Sequence, residues 1–374
     1  LTRLTDIIGQ EVPRKILLNS LNRGRIASTY LFSGKEGIGK WKTALWLGAL
    51  LNCLNPPKDE ADKVTGPCGE CRNCRQVFGL TFPELYLALP LPPFKNDTEY
   101  IEATLEYIES KKKEPYGLIQ SSRQLSIPIK TAREIKRKCS IRPDAGSTRI
   151  VIFHEMERML AASADSLLKL IEEPPPNTVI ILIARDDESL LPTIQSRSQK
   201  IAFKSLSVEQ IAAYLATNNE VPQVKGALTA RLAEGSLGRA LVMLGEDEEK
   251  SLRQESFLMF KSLFHRDTPT AIAAINEMMK PRNKGATEQT LSYWQSFIGD
   301  LVLIKYAGEN AEPVNIDLAR DLQAIAEKCG DVEGFYEIIE LIREFSYGMT
   351  RNVHIRPALL ALSFRMRRLF HQSA

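Results

Sequence analysis

The chain has 374 residues, too many for one ordinary hydrophobic core, which implies two or three domains. Its 49 basic residues barely exceed its 46 acidic ones, so the net charge of +3 excludes a global polycation, and any nucleic-acid contact has to come from a local patch. Neither the opening Leu1-Thr2-Arg3-Leu4-Thr5-Asp6 nor the most apolar stretch, about a dozen residues from Thr43 to Leu54, is long enough for a signal peptide's core or a membrane span, so a cytosolic protein is expected.

Residues 1–205 alternate short β-branched runs with helical patterns, the rhythm of an α/β domain with a parallel sheet. Leu31-Phe32-Ser33 ends one predicted strand, and Arg149-Ile150-Val151-Ile152-Phe153 forms a second. Thr178 to Ile183 forms a third, a continuous apolar run of the kind buried on both faces, and Ile201-Ala202-Phe203 a short fourth. The segment 89–126 breaks this rhythm. Pro90, Pro92 and Pro93 lead into a charged helix-like stretch through Glu109 and Lys111-Lys112-Lys113, and a surface insertion is expected there.

After Phe203 the strand signal stops. Ser207-Val208-Glu209-Gln210 has the form of a capping box, and Ile211, Tyr214 and Leu215 follow at helical spacing. From there the pattern is helical, punctuated by Gly235, Gly238, Pro281, Gly285, Gly308, Pro313 and Gly330. The expected layout is an α/β domain over 1–205, a small helical unit over 206–248 and a helical bundle over 249–374.

Gly34-Lys35-Glu36-Gly37-Ile38-Gly39-Lys40 lies between a predicted strand and an apolar helix starting near Thr43. Such glycines let backbone N–H groups curl around phosphates at a helix N-terminus, and Lys40 would neutralise phosphate charge. A working motif continues with Ser or Thr, whose hydroxyl binds Mg²⁺; here the next residue is Trp41, which offers no oxygen. Shifting the register to Lys42-Thr43 would put Trp41 and Glu36 where glycines are required. Taken alone, the motif reads equally as a damaged phosphate loop or as a structural glycine-rich turn.

The other half of an ATPase site is an acidic pair ending a later strand. After the strand 149–153 comes His154-Glu155: His154 stands where Asp would hold Mg²⁺ through water, and Glu155 where a carboxylate would polarise the attacking water. Neutral imidazole is a poor ligand for a hard, oxygen-seeking cation. Two such departures, at Trp41 and His154, describe a site without catalysis.

Cys68, Cys71 and Cys74 have C-x2-C-x2-C spacing, and 14 residues separate them from Cys53. Four thiolates can close a tetrahedral Zn²⁺ site with no open position, which makes its expected role structural; Gly66 and Gly69 supply tight turns. Cys139 and Cys329 are isolated and read as buried small hydrophobes.

Further segments bring out a resemblance. Asp6-Ile7-Ile8-Gly9-Gln10-Glu11 is similar to the N-terminal box of the AAA+ clamp-loader family, near which the adenine lies. Leu167-Leu168-Lys169-Leu170-Ile171-Glu172-Glu173-Pro174-Pro175 is similar to the family's long helix and its exit. Leu190-Leu191-Pro192-Thr193-Ile194-Gln195-Ser196-Arg197-Ser198 resembles its Ser-Arg-Cys motif, with Ser198 in the cysteine's place. Gly235-Ser236-Leu237-Gly238-Arg239-Ala240 resembles the sensor-2 helix of the lid. Arg351-Asn352-Val353-His354 with Ala358-Leu359-Leu360-Ala361-Leu362 is similar to the last helix of the collar. The motifs occur in family order and cover nearly the whole chain, excepting 89–126.

The resemblance implies an α/β N-terminal P-loop (AAA+) domain with parallel sheet carrying a zinc module over 53–74, then a helical lid and an all-α collar through which subunits assemble. Motor subunits keep Ser or Thr after the P-loop lysine and Asp in the acidic box; this chain departs at both. That implies a stationary partner of motor ATPase subunits and a delta subunit in a five-subunit ring. Such a ring, part of a bacterial replicative nucleotidyltransferase complex, opens a sliding clamp and places it on primed DNA. Similar cysteine positions in the family hold zinc.

The family's motif arginine projects to the γ-phosphate bound next door, which makes Arg197 a candidate trans arginine finger, against the plainer reading of a surface salt bridge. Arg239 reads either as a lid arginine that senses nucleotide or as half of a structural salt bridge. The degenerate nucleotide site comprises Gly34, Gly37, Gly39, Lys40, Trp41, Glu155 and Arg239. Binding of ATP or ADP stays open, and no catalytic Mg²⁺ is expected.

A helix starting near Thr131, with a possible capping box from Thr131 to Glu134, carries Lys130, Arg133, Lys136, Arg137 and Lys138. It reads either as a sequence-independent phosphate contact or as a solvated face. Two other functions stand beside the assembly subunit: an ATPase with unusual magnesium ligands, and a zinc-dependent nucleic-acid-binding module with a vestigial P-loop.

Overall fold

A computed structural model describes residues 5–119, 121, 123–159, 161–188, 190–245, 247–262, 284–308, 311, 313–328, 333–349 and 363–368. The chain divides into two compact units, Leu1–Leu244 and Gly245–Ala374.

The first unit is built on a parallel sheet of β1 (Thr29–Ser33), β2 (Leu85–Ala88), β3 (Arg149–Phe153), β4 (Thr178–Ala184) and β5 (Gln199–Ala202), in the order β2-β3-β4-β1-β5. Every residue of β1, β3 and β4 is buried, as expected of parallel strands covered on both faces. Strand alternation divides the core in two. Tyr30, Phe32, Ile150, Ile152, Ile181 and Ile183 pack with α2 (Lys40–Leu51), while Leu31, Val151, Phe153, Ile180 and Leu182 pack with α5 (Ile129–Cys139) and α6 (Ala161–Glu172).

Three expectations need correction. The sequence reading has four strands, and β2 is a fifth. It is only 4 residues long and lies at one end of the strand order, so its apolar run is too short to stand out. A buried ion pair helps to hold it, Arg149 Nε at the start of β3 lying 2.7 Å from Glu84 just before β2. Helix α5 begins at Ile129 behind Pro128, not at a capping box on Thr131. Thr131 is buried instead, with its hydroxyl 3.1 Å from that of Tyr100.

The third correction concerns 89–126, which is not confined to the surface. Its helix α4 (Asp97–Lys113) buries Tyr107 and Lys111, and the following turn buries Tyr116. The unit's other helices are α1 (Glu11–Asn22) before β1, α3 (Arg72–Phe78) before β2 and α7 (Pro192–Gln195) before β5.

Helices α8 (Val208–Asn218), α9 (Gln223–Leu232) and α10 (Leu237–Gly245) follow the sheet. The predicted capping box is present: Gln210 N–H donates to Ser207 Oγ at 3.2 Å, and Ser207 N–H to Gln210 Oε1 at 3.0 Å. Their small core of Ile211, Leu215, Ala230, Ala233, Leu237 and Ala240 also includes Tyr116.

In the second unit the described helices include α11 (Asp247–Ser262), α12 (Lys284–Ala307), α13 (Ala319–Lys328) and α14 (Glu333–Met349). Phe257 and Phe260 meet Phe297 at 5.2 and 5.4 Å, and Trp294 Nε1 donates to Ser256 O at 3.0 Å. The buried Asp300 carboxylate accepts from Val314 N–H at 2.7 Å and Asn315 N–H at 2.8 Å, which offsets its desolvation. No helix among the described residues is long and apolar enough to cross a membrane. Pro281, Cys329, Gly330, and the motifs at 351–354 and 358–362, lie outside the described residues.

Candidate nucleotide site and cysteine cluster

The loop leaving β1 reaches α2 through Gly34, Gly37 and Gly39, whose φ values of 144°, 69° and 106° are ones that only glycine adopts without strain. Helix α2 starts at Lys40, three residues before the predicted start near Thr43, so Lys40 and Trp41 occupy its first turn. Lys40 turns back, and its Nζ donates to the carbonyl oxygens of Gly34 and Lys35. Burial brings its ammonium down to about 8, against the opposing pull of Glu36, Glu157 and Glu155.

Trp41 is 3% exposed, and its buried Nε1 has no hydrogen-bond partner among the described residues. Its indole meets the ring of His154 edge-on at 4.9 Å. His154 directly follows β3, and its Nδ1 lies 2.5 Å from the hydroxyl of Tyr107 on α4. Burial, reinforced by Lys111, Lys40 and Arg158, holds His154 well below its ordinary pKa. The imidazole is therefore neutral, and its 3.8 Å approach to Glu155 is not an ion pair.

Glu155 takes a left-handed φ of 54° and pairs with Arg158. Burial and the nearby Glu36 raise its pKa. Glu36 behaves oppositely. Burial would raise it, but Arg185, following β4 and 2.5 Å away, outweighs that and lowers it. Glu157 lies 3.9 Å from Arg185, and burial pushes it up to about 7. These groups, with Lys111 and Tyr116, line a cavity of about 40 Å³.

Of the predicted nucleotide-site residues, Gly37, Gly39, Lys40, Trp41 and Glu155 line that cavity. Gly34 takes part through its carbonyl, held by Lys40. Arg239 is not among the lining residues; its Nη1 pairs with Glu234 at 3.2 Å. Arg197 follows α7 and is exposed, with Nη1 donating to Thr193 O at 2.9 Å and Nε paired with Glu172 at the end of α6.

Sequence reasoning missed Tyr107, Lys111 and Tyr116, together with Arg158 and Arg185. A signal for the first two existed: Tyr100, Ala103, Tyr107, Ile108 and Lys111 recur at helical spacing along α4.

The four predicted metal-ligating cysteines do converge. The Sγ atoms of Cys53, Cys68, Cys71 and Cys74 all lie within 4.8 Å of one another, and those of Cys68 and Cys74 are 3.9 Å apart. Four thiolates bound about 2.3 Å from one ion would be about 3.8 Å apart, so the cluster can hold a metal ion and suits zinc. The N–H groups of Cys68, Cys71 and Cys74 point at the sulfurs of Cys53, Cys68 and Cys71 at 3.3, 3.3 and 3.4 Å, and against the upward push of burial the Cys74 N–H helps bring the Cys71 thiol down to about 6. Cys139 is a buried free thiol, as expected.

On α5, Lys130 pairs with Asp97 at 2.6 Å, and Lys138 Nζ lies 4.7 Å from the centre of the Tyr86 ring. Arg133, Lys136 and Arg137 are exposed.

Fold and site together define a P-loop α/β protein with a helical subdomain packed on its phosphate loop. The family described as "DNA polymerase III, delta subunit" matches residues 9–207, over half of the chain, and the chain belongs to that family.

DNA polymerase III subunit delta' of Bacillus subtilis (strain 168) is 27% identical over 78% of this chain and 74% of its own length. Subunit tau of the same organism is 23% identical over 100% of this chain and 62% of its own length. Subunit tau of Escherichia coli (strain K12) is 29% identical over 63% of this chain and 31% of its own length. The chain thus spans between 29% and 62% of the length of the tau and gamma/tau relatives it matches here. Among solved structures, a gamma-subunit-related protein of Thermotoga maritima covers 95% of this chain and 100% of its own, at 15% identity and a TM-score of 0.34, too loose to argue from.

Proposed function

We propose that this chain is a stationary, non-hydrolysing, delta-prime-type subunit of a bacterial DNA polymerase III clamp loader. It acts in the cytoplasm within a hetero-oligomeric ring of motor ATPase subunits and a delta subunit. The ring loads a sliding clamp onto primed DNA without sequence specificity. Within the chain, 1–205 is the P-loop domain, 206–248 the lid and 249–374 the assembly collar.

The observation that carries the reading is the Trp41–His154 contact at 4.9 Å. A hydrolysing site needs a hydroxyl after the P-loop lysine and a carboxylate after β3 to organise Mg²⁺. Here the two positions carry an indole and a neutral imidazole that pack on each other. Zn²⁺ bound by Cys53, Cys68, Cys71 and Cys74 would tie α3 to the end of α2 as a closed structural site.

Arg197 completes catalysis in a neighbour. Its pairing with Glu172 involves side chains 38% and 36% exposed, a bond weak enough for a γ-phosphate to displace. Arg133, Lys136 and Arg137 are the candidates for duplex phosphate contact.

The test is ATP turnover by the purified chain with and without Mg²⁺, set beside the reconstituted loader. The isolated chain is expected to be inactive. Turnover that Lys40→Ala abolishes would overturn the reading.

A further inference from the structure

Loss of magnesium ligands explains lost hydrolysis, but it does not by itself stop a nucleotide from binding. We infer that Tyr107, Lys111 and Tyr116, all from the 89–126 segment, are a built-in occupant of the nucleotide cleft that closes the phosphate loop to nucleotides. The inference deepens the reading of this cleft as a degenerate nucleotide site and rests on it.

Tyr116 is 1% exposed and joins three structures around the loop. Its hydroxyl accepts from Ile8 N–H at 3.1 Å in the N-terminal box. Its ring meets Tyr214 of α8 at 5.7 Å. A Cβ placed on Gly39 would lie 3.0 Å from that same ring. A nucleotide reaching from the N-terminal box to the phosphate loop would have to pass through this aromatic.

Above the loop there is no clearance. Gly238 N–H donates to Gly37 O at 3.0 Å, and Ser236 Oγ to Glu36 O at 2.7 Å. A Cβ on Gly238 would lie 2.4 Å from Tyr116 O and 2.8 Å from Gly37 Cα. Phosphate loop, inserted turn and α10 therefore meet backbone to backbone, closer than a methyl group allows.

Inside, the charges are already matched. Lys111 Nζ donates to Gly117 O at 2.7 Å and lies 5.9 Å from the centre of the Trp41 ring. Glu36 pairs with Arg185 and Glu155 with Arg158. Incoming phosphates would face three carboxylates, Glu36, Glu155 and Glu157, and compete for cations that are already engaged. The cavity beside the loop is lined by these same carboxylates and by Lys111 and Tyr116.

The test is titration of the full chain with a fluorescent ADP, with and without Mg²⁺. The unsubstituted chain is expected to show no saturable binding. Folded Tyr116→Ala, and Lys111→Ala, which leaves the α8–α10 core intact, are each expected to bind at least about tenfold tighter, and adding Lys40→Ala should remove the gain. Saturable binding by the unsubstituted chain below about 100 µM would overturn the inference, as would folded variants that bind no better. Binding without hydrolysis would sink only this occlusion, whereas hydrolysis by the unsubstituted chain would sink the stationary-subunit reading as well.

Discussion

Trp41 opens α2, His154 follows β3, and their rings meet edge to face with centroids 4.9 Å apart. The two departures from an ATPase motif are thus one packed unit, closed by Tyr107 at 2.5 Å from His154 Nδ1. Trp41→Ala is expected to destabilise the protein by about 3–5 kcal/mol, the cost of emptying a buried aromatic site. An unfolding free energy from denaturant titration that falls by less than about 1 kcal/mol would contradict this packing role. In a double-mutant cycle the two rings should couple by about 0.5–1.5 kcal/mol.

Arg197→Ala should change the stability of the chain by about 1 kcal/mol or less, because its partner Glu172 is solvent-screened. Loader assembly should be unaffected. At the neighbouring ATP site, turnover in the reconstituted loader should fall ~10³-fold or more. Clamp-stimulated turnover equal to that of the parent would remove the finger assignment.

Elemental analysis is expected to find one zinc per chain, lost in Cys68→Ser. Chelation should lower the melting temperature and shift the near-ultraviolet signal of Trp46, which lies 3.6 Å from a Cβ placed on Gly66 in the cysteine module. Metal-free protein with an unchanged melting curve would rule out a structural ion.

Glu157 gives stability a pH dependence of definite sign. Burial raises its pKa from 4.5 to about 7, so the folded state holds this proton more tightly than the unfolded one. The associated stabilisation is complete below pH 4.5 and is lost as pH rises towards 7, by up to about 3 kcal/mol. Lys40 and Lys111 act in the other direction. Burial lowers both from 10.5 to about 8, so stability is regained as pH rises through that interval. Unfolding midpoints across this range should pass through a minimum between the two windows. Glu157→Gln should flatten the acidic limb alone; an unchanged limb would show that Glu157 does not set it.

Much of this protein is written locally. The continuous apolar run of β4, the Ser207–Gln210 box and the spacing of the four cysteines are legible because each depends on neighbours a few residues away. The substitutions at Trp41 and His154 are legible for the same reason, since each sits at a fixed place in a short motif. What they touch is not. Lys111-Lys112-Lys113 reads as a solvated charge run, yet the phase of α4, fixed by Tyr107 one turn earlier, turns Lys111 inward and leaves Lys113 exposed. Tyr116 reads as one more residue of an insertion until the fold brings Ile8, Gly39 and Tyr214 around it. Periodicity and turn chemistry belong to the local chain, so they can be read in order. The partner of a buried ring or ammonium is set by which distant elements the sheet brings together, and no local pattern carries that.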